Sequence, residues 1–153
     1  MAVLEIGINL GLKKLLEIKY YSSADKILDP NIRNRFLSGL EDYINEVFGD
    51  EIYVISLSNF EIICYYEMVQ TSKDKEEILQ PLLVFAIIEK KTDHEFVLQH
   101  LKKIYSLFLK KYDLKDIFTK GSKFFKKFKP QVDEILGDLR IKLEDRIRTV
   151  FRD

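Results

Sequence analysis

Apolar residues recur along this chain with two different periods, and the period changes from one element to the next. Leu4, Ile6 and Ile8 alternate with other residues, Asn9 to Gly11 reads as a turn, and Leu15, Leu16, Ile18, Tyr20 and Tyr21 form a second apolar run. Together they predict an N-terminal β-hairpin. Phe36, Leu37, Leu40, Ile44, Val47 and Phe48 then fall at helical spacing. Asp29 is placed to cap that helix, Pro30 suits a first turn where a missing N–H costs nothing, and Gly49 follows as a stop. Its opposite face carries Glu41, Asp42, Asn45 and Glu46.

Two more strands are predicted at Ile52–Leu57 and Glu61–Tyr66, joined tightly through Ser58 and Asn59. Residues 68–80 are polar and rich in Lys and Glu, which predicts a loop or a frayed turn. Pro81–Ile88 is a fifth strand, and its unbroken Leu-Leu-Val-Phe-Ala-Ile-Ile run predicts burial on both faces. A sheet exposed on one side would alternate, so helices are expected on both sides.

Thr92 and Glu95 have the spacing of a capping box before a helix whose apolar stripe is Phe96, Val97, Leu101, Ile104 and Phe108. Residues 113–129 read as an irregular connector. A last helix is expected from Pro130, with Val132, Ile135, Leu136, Leu139, Leu143, Ile147 and Val150 inward and Gly137 allowing a slight bend. The order is β-β-α-β-β-β-α-α over one domain, residues 1–153. The fold class is α/β (α+β), with no internal repeat.

In this order the chain resembles the longin family. The matching stretches are the opening hairpin, the helix Asn31–Phe48 ending in Val-Phe-Gly, the strand pair Ile52–Tyr66, the strand Pro81–Ile88 and the two terminal helices. The resemblance implies a three-layer sandwich: a five-stranded antiparallel sheet with one helix on one face and two on the other. Roadblock domains have a similar layout but begin with a helix, and this chain begins with strands. The resemblance further implies a module of vesicle-trafficking assemblies that contacts a small GTPase, pairs with a second longin or roadblock chain, or forms a homodimer. By the same resemblance the partner face is expected at Arg33, Glu41, Asp42, Asn45 and Glu46. The chain departs from the SNARE branch in showing no heptad segment or anchor after residue 153, and its Lys- and Ile-rich style looks archaeal and stand-alone.

Composition then narrows the classes. With 46% hydrophobic and 33% charged residues, the chain has a folded rather than a disordered composition. The longest apolar run is far shorter than the roughly 20 residues of a membrane span. The N-terminus lacks a basic region and a cleavage site, and Cys64 is the only cysteine, so a reducing, cytoplasmic location is expected, peripheral to a membrane at most. Net charge is zero, yet residues 1–99 hold 10 Lys/Arg against 17 Asp/Glu, −7, and residues 100–153 hold 15 against 8, +7. Asymmetry of that kind steers charged partners or favours self-association, or it is one solvated basic face.

No phosphate-binding glycine loop and no nucleophile elbow occurs, and no catalytic residues, cofactor or metal are expected. His94 and His100 stand six apart on different helix faces, without the spacing of a zinc site. Cys64 lies between Ile63 and Tyr65 and reads as a small core residue rather than a nucleophile. Tyr20, Tyr21, Tyr43, Tyr53, Tyr65 and Tyr66 are too many to bury with a partner for each hydroxyl, which points to interface tyrosines. The stretch Lys120–Lys129 holds five lysines and three phenylalanines in ten residues. Three readings of it stay open. Lys120, Lys123, Lys126, Lys127 and Lys129 meet anionic lipid while the phenylalanines insert, or they grip a nucleic-acid backbone, or Phe124, Phe125 and Phe128 pack under the terminal helix and the lysines face water. A nucleic-acid partner is the least expected.

Overall fold

All eight residues of the first strand, β1 (Val3–Leu10), are buried, a pattern that only a central strand covered on both faces gives. The computed structural model describes residues 3–20, 52–56, 60–73 and 76–140. The helix expected over 31–48 lies outside these residues. The other strands are β2 (Lys13–Lys19), β3 (Ile52–Ser56), β4 (Phe60–Lys73) and β5 (Glu76–Glu89). They hydrogen-bond side by side in the order β2-β1-β5-β4-β3, and every neighbouring pair is antiparallel. The mixed α+β class expected from the element order is the one found, with an antiparallel sheet.

Position in the sheet explains the burial. β5 runs between β1 and β4, and every residue from Pro81 to Ile88 is buried. Leu82, Val84, Ala86 and Ile88 face the main core together with Val3, Ile6, Ile8 and Leu10 of β1. Leu83, Phe85 and Ile87 alternate with them, and with Ile62, Cys64 and Tyr66 of β4 they are buried outside that core. Leu4 was expected beside Ile6 and Ile8, but the β1–β5 register shifts between Val3 and Glu5, and Val3 joins the main core in its place. Gly7 pairs with Phe85, and a Cβ built at Gly7 would clash with the edge of the Phe85 ring. The ring thus occupies space that only glycine leaves open.

Two stretches differ from the sequence reading. Asn9 belongs to β1 and is buried, so the hairpin turns at Gly11 (φ 58°) and Leu12. Residues 68–73 and 76–80 are strand rather than loop: β4 and β5 continue as a two-stranded ribbon from Met68↔Pro81 to Lys73↔Glu76. Its polar composition follows from its place, since β1 stops pairing with β5 at Leu82 and β3 stops pairing with β4 at Tyr65. A ribbon without further strand neighbours has little apolar surface to cover.

The helices follow the sheet. α1 (His94–Lys111) packs Val97, Leu98, Leu101, Ile104, Tyr105 and Phe108 inward. Its cap is Asp93, whose Oδ1 accepts from the Phe96 N–H at 3.2 Å, while the Thr92 hydroxyl donates back to the Glu89 carbonyl at 2.7 Å. The expected Thr92–Glu95 box is therefore replaced by an Asp cap one residue later. Phe96, assigned to the apolar stripe, is instead exposed with its ring against His100. The expected connector is a string of short turns: α2 (Leu114–Thr119), α3 (Ser122–Phe125) and a 3₁₀ turn at Lys126–Phe128. α4 (Lys129–Leu136) follows and ends at Gly137, whose φ of 52° and ψ of −126° break the helix rather than bend it. A 3₁₀ turn at Gly137–Arg140 closes the described residues.

Candidate interaction surfaces

Phe125 and Phe128 are fully buried, and their rings lie 5.5 and 5.2 Å from that of Phe108. Tyr112 joins the same aromatic cluster at 5.0 Å from both Phe108 and Phe125. The local sequence explains this: in successive short turns, Phe125 and Phe128 stand three apart and share one inward side. Phe124 is half-buried, with the Lys127 and Lys120 ammonium groups 4.9 and 5.6 Å from its ring centre. The packing reading of the phenylalanines is the one found, and insertion of Phe125 and Phe128 into a bilayer is excluded by their burial.

The lysines of this stretch face water. Lys120, Lys123, Lys126, Lys127 and Lys129 are all exposed. Lys129 is committed to an ion pair with Asp133 at 2.9 Å. Asp133 also accepts a hydrogen bond from the Tyr20 hydroxyl at 2.5 Å. Partial burial pushes the Asp133 pKa up, but the Tyr20 hydroxyl and the Lys129 ammonium together outweigh it and hold the carboxyl below its ordinary range. The Tyr20 hydroxyl is driven the other way, first by burial and then by the Asp133 carboxylate.

A groove of about 420 Å³ opens between α1 and α4, lined by Lys102, Lys103, Ser106, Leu107, Lys110 and Ile135. Sequence reasoning did not single it out, although the polar spacing of Lys103, Ser106 and Lys110 on one side of α1 was there to see. Beside it, Lys102 lies 5.6 Å from the Tyr65 ring centre, and Tyr65 sets its ring edge-on to Tyr105 at 5.2 Å. The Tyr65 hydroxyl donates to Glu67 at 3.0 Å. Burial, and then the Glu67 charge, push the Tyr105 pKa up. The raised pKa keeps the Tyr105 hydroxyl protonated at neutral pH.

The remaining candidates sit apart from one another. His94 meets Glu61 at 3.1 Å, and the His100 ring meets the Phe96 carbonyl at 2.7 Å. Cys64 is buried opposite Phe85, and burial pushes its thiol pKa up, which disfavours the reactive thiolate. Among the described residues, no group of three or more His, Cys, Asp or Glu side chains could hold a metal ion. Among them too, no helix is long and apolar enough to cross a membrane. Arg33, Glu41, Asp42, Asn45 and Glu46 lie outside the described residues, as do Tyr21, Tyr43 and the Tyr53 side chain. Tyr66, expected as an interface tyrosine, is buried. In comparisons with known proteins, no family model matches the chain and no curated protein is similar to it.

Proposed function

We propose that this chain is a non-catalytic protein-interaction module of the longin type. It contacts or regulates a small GTPase, or pairs with a second longin or roadblock chain in a trafficking-like assembly. The observation that carries the reading is the antiparallel sheet, opened by a hairpin and buried on both faces, with its helices following in sequence. The three-layer sandwich belongs to the proposal. Burial of Ile62, Leu83 and Ile87 outside the main core supports a layer on the second face, and the apolar stripe of residues 31–48 is the sequence suited to supply it. The partner face then falls at Arg33, Glu41, Asp42, Asn45 and Glu46, of which the last four take the polar side of that stripe.

The direct test mixes the purified chain with purified small GTPases in their GDP- and GTP-bound states and follows binding and nucleotide exchange. The proposal expects a complex with at least one of them, weakened when Glu41, Asp42 and Glu46 are replaced by Arg. Binding that ignores this charge reversal would move the partner face elsewhere.

A further inference from the structure

Residues 101–140 carry 11 Lys/Arg against 5 Asp/Glu, a net +6, and ten of the eleven cations are lysines. All ten are exposed, and they lie on the helices and turns that pack over the main core. Among the described residues of this segment, Lys129 pairs with Asp133. Lys102, Lys103 and Lys110 border the groove between α1 and α4, and Lys123, Lys126 and Lys127 lie on the turns that carry Phe124, Phe125 and Phe128.

We infer that this lysine-bearing helical face is a peripheral docking surface for an anionic phospholipid membrane, held by charge without insertion of side chains. Three observations select the occupant. Protein interfaces are depleted in lysine and anchored by exposed aromatics or arginine, and this face is the reverse. Single-stranded nucleic acid needs aromatic platforms for its bases, and Phe125 and Phe128 are fully buried. Lysine is a compact charge without the fork geometry of arginine, which suits a fluid surface of anionic headgroups rather than one fixed phosphate. Each lysine near such a surface contributes about fivefold to partitioning. Reversing three of them is therefore expected to reduce binding about a hundredfold or more.

The test is flotation of the full chain with phosphatidylcholine vesicles that contain or lack phosphatidylserine, at low salt and at about 1 M salt, where the screening length falls to about 3 Å. Two variants accompany it, K102E/K103E/K110E and K123E/K126E/K127E, each checked for native circular dichroism, with Lys→Gln versions in reserve for any that fails to fold. Binding that needs phosphatidylserine, vanishes in high salt and is lost in both variants supports the inference. Three outcomes overturn it: no binding to phosphatidylserine vesicles at low salt, equal binding to neutral vesicles, or binding unchanged by both variants. Capture of an acidic protein or of nucleic acid by this face, without vesicle binding, overturns it as well.

Discussion

Tyr20 and Tyr112 carry the same hydroxyl into opposite surroundings. The Tyr20 hydroxyl donates to a carboxylate, whereas the Tyr112 hydroxyl is buried with no hydrogen-bond partner among the described residues. Hydrogen bonds to charged groups stabilise more than neutral ones, and a buried unpaired hydroxyl costs its desolvation. Tyr20→Phe should therefore lower stability by about 1–2 kcal/mol, while Tyr112→Phe should leave it unchanged or raise it by up to about 1 kcal/mol, both read from urea denaturation. The Tyr20–Asp133–Lys129 cluster also sets a pH dependence. Because the Asp133 pKa is lowered in the fold, its contribution is fully present above the unfolded carboxyl pKa and is lost as pH falls through the lower, folded value. The loss of stability between neutral and acid pH should thus be smaller in Asp133→Asn than in the parent chain. Gly7 gives a steric test of the second sheet face. Gly7→Ala places a methyl against the edge of the Phe85 ring and should cost about 1–3 kcal/mol. Combined with Phe85→Leu, the same change should cost clearly less than the sum of the two single substitutions, a coupling that a double-mutant cycle measures.

At the scale of elements, the N-terminal cap of α1 is Asp93. Asp93→Ala should destabilise by about 1 kcal/mol, whereas Glu95→Ala should stay within about 0.5 kcal/mol, both measured by thermal or urea denaturation. The capping-box pattern misled because the Thr92 hydroxyl turns back to Glu89 and closes the tight turn after β5. Elsewhere, legibility follows burial. The run Leu82–Ile88 announced its doubly covered position because apolar side chains on both faces leave no alternation to obscure the pattern. The ribbon beyond it was illegible for the converse reason. Met68–Lys73 and Glu76–Gln80 owe their strand conformation to pairing with each other, not to a core, so their composition resembles that of a loop. The break at Gly137 was hidden because Leu136 and Leu139 keep helical spacing across it, and spacing says nothing of a positive φ; Leu143, Ile147 and Val150 of the expected helix lie outside the described residues. Of the surfaces, the exposure of Lys120–Lys129 and the burial of its phenylalanines were legible as one reading among three, settled by the packing against Phe108. The groove between α1 and α4 needed two elements far apart in sequence and had no local signature beyond the lysine spacing on α1.

Across the whole molecule, charge and packing divide along the chain. Among the described residues, the acidic part of the sequence, residues 1–99, contains the strands and the start of α1, and the basic part contains the rest of α1 and the turns and helices that close over the main core. Residues 1–99 and 100–153 carry −7 and +7, so charge is asymmetric along the sequence although the net charge is zero. An asymmetry of this kind steers the basic part toward an anionic surface and leaves the acidic part for a partner of opposite sign, which joins the membrane-docking inference to the interaction-module proposal. The central claim is that the chain works by holding another protein, and sedimentation velocity tests it most directly. The chain should be run alone and then with each purified small GTPase and each purified longin or roadblock chain of its source. The account predicts a heavier species with at least one of them, in defined stoichiometry, at micromolar concentration. A chain that stays monomeric alone and in every mixture would contradict it.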